Sequence, residues 1–151
     1  MDKKQALNKA MALCARKEYS ESDIRAKLKI WGIEPNDTDL VVAELVKQKF
    51  IDDLRYTIAY VRDKVRFNQW GRIKIRYMLS AGKISHSIID QAFEHIDEDS
   101  YADTLKLLLQ KKSREMKRET NPYAKKQKLV KFAQGRGFEI DLVLRELQEL
   151  M

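Results

Sequence analysis

Asp52 and Asp53 are adjacent carboxylates, the pair that a metal-dependent nuclease would use to hold a divalent cation. Neighbouring residues on a helix point about 100° apart and rarely converge on one ion, so capping of the helix that follows is the reading their position favours. His86 and His95 lie too far apart to share a ligand, and each reads as an ordinary surface or core histidine. Cys14 is the single cysteine, so there is no internal disulfide, and two histidines with one cysteine give no metal-finger spacing. The chain has no Gly-rich phosphate loop, no His-Glu-x-x-His, and no Ser, Cys and His arrangement that makes a nucleophile and base. No catalytic residue, metal or cofactor is expected. The residues in excess are cations, and they point to a binder.

Lys and Arg number 30 against 23 Asp and Glu, a net +7. That sign favours nucleic acid or another acidic surface as partner. The excess is local. Residues 62–83 carry Arg62, Lys64, Arg66, Arg72, Lys74, Arg76 and Lys83 against Asp63 alone, a net +6. Residues 106–136 carry a net +9, with Lys111, Lys112, Arg114, Lys117, Arg118, Lys125, Lys126 and Lys128 as the candidate contacts beside Lys106, Lys131 and Arg136. The remainder is net −8, a polarity that folding alone does not require. Part of the second tract is ordinary helix support, Lys111 standing four residues before Glu115. Arg72 and Arg76 are one turn apart and flank an apolar stripe, so both are expected outside the core. In a repeat array they would share one surface with Lys125, Lys126 and Lys128. Trp70 beside these cations reads as a packing wedge before a base-stacking platform, and Trp31 as packing too. Phe67 and Tyr77 stay open between the two.

The elements that position these residues are helical. Ala, Glu, Lys, Leu and Arg make up 69 of 151 residues, with only 5 Gly and 2 Pro, which excludes a β-sandwich or barrel. Apolar stripes at helical spacing run through Leu7, Ala10, Met11 and Cys14, through Leu54, Ile58, Val61 and Val65, and through Ile140, Val143, Leu144 and Leu147. Ser20 or Ser22, Pro35-Asn36 before Asp37, Asp52 and Asp53, and Asn121-Pro122 supply starts, and nine helices are expected. The first residues lack a signal-peptide run and no stretch reaches a membrane span, so no membrane contact and a cytoplasmic site are expected.

A repeat underlies these helices. Ile24-x-x-x-Leu28-x-x-x-Gly32-Ile33 returns as Ile75-x-x-x-Leu79-x-x-x-Lys83-Ile84 and as Leu129-x-x-x-Ala133-x-x-x-Gly137-Phe138, at offsets of 51 and 54 residues. The following helices correspond too: Leu40, Val41 and Leu45 with Ile88, Ile89 and Phe93, and with Leu142, Val143 and Leu147. The apolar pair buries one side of a middle helix, the Gly ends it in a left-handed turn, and the next apolar residue anchors the third helix. Lys83 stands where Gly is expected, but Gly82 precedes it, so the second turn can be shifted by one residue rather than lost, and its geometry stays open. The expected architecture is all-α, three tandem three-helix repeats over 1–51, 52–97 and 98–151 stacked into an elongated, curved array.

Phe50-Ile51-Asp52-Asp53-x-Arg55-Tyr56, then Ala59-Tyr60-Val61 and Trp70-Gly71-x-x-x-Ile75-Arg76-x-x-Leu79, resembles the second-repeat signature of the RecX family of recombination regulators. Residues 20–28 resemble that family's first repeat and 128–138 its third, with Lys83 at a usual Gly and Ala133 at a usual Leu. In this signature Phe50, Asp52, Asp53, Arg55, Trp70 and Gly71 have structural roles. The resemblance implies a non-enzymatic protein, expected to be a monomer, that lies in the groove of the RecA filament. It would bind single- and double-stranded DNA as well, and limit filament growth, DNA-dependent ATP hydrolysis and strand exchange. The alternative of another class is a helical DNA-binding module with no recombinase partner.

Overall fold

The computed structural model describes residues 1–151 as nine α-helices with no strand. They are α1 (Lys3–Arg16), α2 (Glu21–Ile30), α3 (Pro35–Lys47), α4 (Asp53–Asn68), α5 (Arg72–Ala81), α6 (His86–Phe93), α7 (Glu98–Glu115), α8 (Pro122–Gly135) and α9 (Ile140–Leu150). Every third helix opens a new repeat, and corresponding positions are buried alike. Ile24, Ile75 and Leu129 are each 0% exposed, and Leu28, Leu79 and Ala133 lie buried one turn on. Val41, Ile89 and Val143 of the third helices are buried as well. No helix is long and apolar enough to cross a membrane.

The turn between second and third helices is the same in all three repeats. The N–H groups of Ile33, Ile84 and Phe138 reach back to the carbonyls of Leu28, Leu79 and Ala133 at 3.0, 3.0 and 3.2 Å. Those of Gly32, Lys83 and Gly137 bond Lys29, Ser80 and Gln134. This paired closure needs a left-handed residue, and Gly32, Lys83 and Gly137 supply it at φ 78°, 67° and 94°. The second turn, left open by the sequence, is neither lost nor shifted to Gly82. Lys83 accepts the left-handed backbone itself, because moving the turn would displace Ile84 from its buried anchor.

Two compact units divide the chain. The first comprises Met1–Tyr60 with Leu79–Ala92, the second Val61–Met78 with Phe93–Met151. The first has a core of Ala6, Ala10, Ile24, Leu28, Ile33, Val41, Val42, Leu45 and Ile51, against which Trp31 and Phe50 pack. Trp31 is thus a packing residue, with the Lys9 ammonium 4.5 Å from its ring centroid. The second is built on Tyr101, Leu105, Leu108, Leu109, Leu129, Ala133, Phe138, Val143 and Leu147. In α9 the stripe is rotated from the expected one: Val143, Glu146 and Leu147 are buried, whereas Ile140 and Leu144 are each 42% exposed.

Helix starts follow the sequence with two reassignments, the first at α3, where Pro35 and Asn36 do not break the chain before Asp37 but form the first turn of the helix after Glu34. Ser20 caps α2, accepting from Asp23 N–H, and Asn121 caps α8; Ser22 does not serve as a cap. Asp52 caps α4 through the Arg55 N–H at 3.1 Å. Asp53 instead accepts the Glu21 N–H at 2.8 Å, so it serves the first turn of α2 rather than its own helix. Burial pushes the Asp53 carboxyl above its ordinary range, against the pull of that N–H.

Candidate nucleic-acid and filament interface

The residues of the Asp-Asp-x-Arg signature form a clasp within the first unit. Arg55 donates from Nε to Glu18 at 2.6 Å and from Nη2 to the carbonyls of Lys49 and Phe50 at 3.1 and 3.3 Å. Those carbonyls belong to the turn after α3, where Lys49 lies at φ 64° with no glycine to announce it. Arg55 therefore fixes the approach of α4 to the end of α3, while Phe50 packs on the core and Asp53 holds α2. Nothing in this clasp is arranged for a reacting group.

Trp70 and Gly71 do the corresponding work in the second unit. Gly71 N–H bonds the Arg136 carbonyl at 2.8 Å and Ile73 N–H the Gly137 carbonyl at 3.0 Å, seating the start of α5 on the turn after α8. A Cβ on Gly71 would meet Gly137 O at 2.3 Å, and one on Gly137 would meet Lys74 N at 2.5 Å, so neither position admits a side chain. Trp70, half-buried, has the ammonium groups of Lys64 and Lys74 at 4.9 and 4.6 Å from its ring centroid, which supports the packing reading over base stacking.

Arg72 differs from expectation. Its side chain is only 18% exposed, paired with Glu139 at 2.7 Å and with Glu98, and its guanidinium lies 4.0 Å from the Tyr101 ring centroid. Tyr101 OH accepts the Arg72 N–H at 2.9 Å and donates to Glu139. Burial, then the bond to Glu139, pushes the Tyr101 hydroxyl well above the ordinary tyrosine range. A cation one turn from an apolar stripe need not face solvent when carboxylates from α7 and the α8–α9 turn approach that side. Arg76 is half-buried, with its guanidinium 5.2 Å from the Phe93 ring centroid. No spacing along the chain marks this network, although a buried Tyr at the head of the α7 stripe needs a hydroxyl partner and so flags one.

The exposed part of the first tract is on α4, at Arg62 and Arg66. In the second tract Lys111 and Arg114 on α7, Lys117 and Arg118 after it, and Lys126 on α8 are exposed, and Lys125 is half-buried. None of these makes an ion pair. Lys112 rather than Lys111 pairs with Glu115, at 3.8 Å. Lys128 pairs with Glu119 at 2.7 Å, and this contact together with the Asn121 N–H holds the Glu119 carboxyl below its ordinary range. The ends of the two tracts meet within the second unit: Arg66, Lys111, Lys112 and Arg136 line one cleft.

Tandem three-helix repeats with unpaired cations on α4, α7 and α8 define the class as a helical-repeat protein with a strongly basic surface. Residues 6–45, 52–92 and 98–147 match, in order, the first, second and third three-helix domains of RecX. The chain belongs to the RecX family. It is 30% identical over 148 residues to the regulatory protein RecX of Clostridium acetobutylicum, covering 94% of this chain and 68% of that one. To the regulatory protein RecX of Vibrio parahaemolyticus it is 29% identical over 135 residues, covering 89% and 84%. It thus spans about two thirds of the clostridial relatives and more of the Vibrio ones. The crystal structure of RecX from Lactobacillus salivarius shares the fold at a TM-score of 0.90 and 20% identity, covering 98% and 96%. That of another regulatory protein RecX does so at 0.84 and 25%, covering 93% and 68%.

Proposed function

We propose that the chain regulates the RecA recombinase by binding the RecA filament and its DNA, limiting filament growth, ATP hydrolysis and strand exchange. The supporting observation is the set of unpaired exposed cations, Arg62, Arg66, Lys111, Arg114, Lys117, Arg118 and Lys126, in a chain that carries all three repeats of a family of regulatory proteins. Cations without carboxylate partners keep their full attraction for phosphates and acidic protein patches. Half-buried Lys125 adds to the same positive field, as do Lys64, Lys74, Lys112 and Lys128 beside their aromatic or acidic neighbours, and Arg76 contributes from its place beside Phe93. Arg72 is assigned to the scaffold. The protein works by occupancy, as a monomer in the cytoplasm, with no cofactor.

The test is a salt titration of binding to RecA filaments assembled on DNA and to naked DNA. Preference for the filament at equal salt is expected; equal affinity for both ligands would favour a DNA-binding module without a recombinase partner. Replacing Arg114 and Arg118 by Ala, with circular dichroism as folding control, is expected to weaken binding. Where these arginines meet phosphate, the salt slope should also flatten by roughly 0.7 to 0.9 for each phosphate no longer neutralised. Unchanged affinity in the folded variant would remove the end of α7 from the interface.

A further inference from the structure

Four cations line the cleft in which the two tracts meet, but so do apolar groups, and phosphates do not use those. The cleft has a volume of about 440 Å³ between the end of α4, the middle of α7 and the end of α8. Arg66, Lys111, Lys112 and Arg136 share it with Leu107 and Phe132. Leu107 is 65% exposed, although it sits on the longest helix of the molecule between buried Leu105 and Leu109. The Phe132 ring has the Lys112 ammonium at 4.9 Å and the Arg136 guanidinium at 5.4 Å from its centroid. Arg136 is held in place by donating to the Asn68 carbonyl at 2.9 Å.

We propose that this cleft holds an acidic segment of a partner protein, its carboxylates among the four cations and one apolar side chain against the exposed Leu107. Charge complementarity sets the sign of the occupant. The apolar floor decides between the two anionic classes. A nucleic-acid backbone brings no apolar group to cover Leu107, and a base needs an open aromatic face, whereas cations already lie over the Phe132 ring. An acidic peptide supplies both components and leaves no exposed leucine uncovered. The cleft already takes one carboxylate from its own chain, that of Glu115, loosely placed 3.8 Å from Lys112 and so open to replacement by a better-placed one. The inference deepens the reading above, since the segment is taken to belong to the regulated filament.

The test is fluorescence anisotropy on the full chain with three labelled probes at one salt concentration. These are a peptide of mixed Asp and Glu with one central Leu, the same peptide with Ser for that Leu, and an oligothymidylate of matched charge. The Leu peptide is expected to bind about tenfold or more tightly than the Ser peptide, a gain of about 1.4 kcal/mol. Leu107→Ser should erase that ratio. Lys111→Glu should weaken the Leu peptide about tenfold, while Lys3→Glu, the same charge change on α1, should leave it within about twofold. Equal binding of the two peptides overturns the proposal, as does absence of peptide binding, or an oligothymidylate that binds best and ignores Leu107→Ser. The comparison of probes on the unaltered chain decides the matter even if a variant fails to fold. Filament binding without peptide binding overturns this inference alone; peptide binding without filament binding overturns the filament reading alone.

Discussion

In the first unit the left-handed turn at Gly32 faces open space, with nothing within 4 Å of where a Cβ would stand; in the second the turn at Gly137 lies under the start of α5. Both turns close with the same pair of backbone bonds. What differs is the tertiary use. Gly137 offers its carbonyl to Ile73 and its bare Cα to Lys74, and its neighbour Arg136 offers a carbonyl to Gly71. One glycine serves conformation alone, and the other serves conformation and a backbone-to-backbone dock. The arginines of the units diverge likewise. Arg55 reaches carbonyls of a turn from a side chain 43% exposed, whereas Arg72, 18% exposed, neutralises two carboxylates above a tyrosine ring.

The sharpest way to break this comparison is alanine at the two turns. Gly32→Ala meets only backbone strain and should cost about 1 to 2 kcal/mol. Gly137→Ala adds a collision with the backbone of Lys74 and should cost about 3 to 5 kcal/mol, read from denaturant unfolding. Equal losses would mean that the dock contributes nothing. The arginines come next. Arg72→Ala leaves Glu139 and Tyr101 facing each other without a cation and should cost about 2 to 3 kcal/mol, against about 1 kcal/mol for Arg55→Ala, whose partners can turn to water. A combined Arg72 and Arg76 substitution therefore reports on folding before binding.

A pH prediction sharpens the same contrast. The Tyr101 hydroxyl is raised above its ordinary 10.0, so just above that value the folded chain keeps a proton that the unfolded chain has released. Its contribution is whole below about pH 10 and declines as pH rises. Tyr101→Phe should flatten the loss of stability between about pH 9 and about pH 11. Tyr56 of the first unit, pushed by burial to about 12, should show a smaller effect when replaced by Phe. Identical slopes for wild type and Tyr101→Phe would remove the hydroxyl from the network. The smallest effect is a gain: Lys83→Gly relieves a left-handed lysine and should stabilise by about 1 kcal/mol, measured by thermal unfolding.

Local periodicity made most of the fold legible. The pairs Ile24/Leu28, Ile75/Leu79 and Leu129/Ala133 announce three middle helices, because burial of one helical face imposes its spacing on the chain wherever the helix packs. Ser20, Asp52 and Asn121 announce helix starts for an equally local reason, the need to satisfy N–H groups within a few residues. The basic surplus is likewise set by composition. Which cations are available depends on the tertiary packing alone. Arg72 and Arg66 look alike in sequence, yet carboxylates 26 and 67 residues away claim Arg72 and leave Arg66 at the cleft. Packing also gave Asp53 to α2 across 32 residues, and made a collision site of Gly71, whose neighbour in space is Gly137. Such pairings have no period and no local signature, since they depend on which helices meet, and the charge and size of the groups brought together then settle what each residue does.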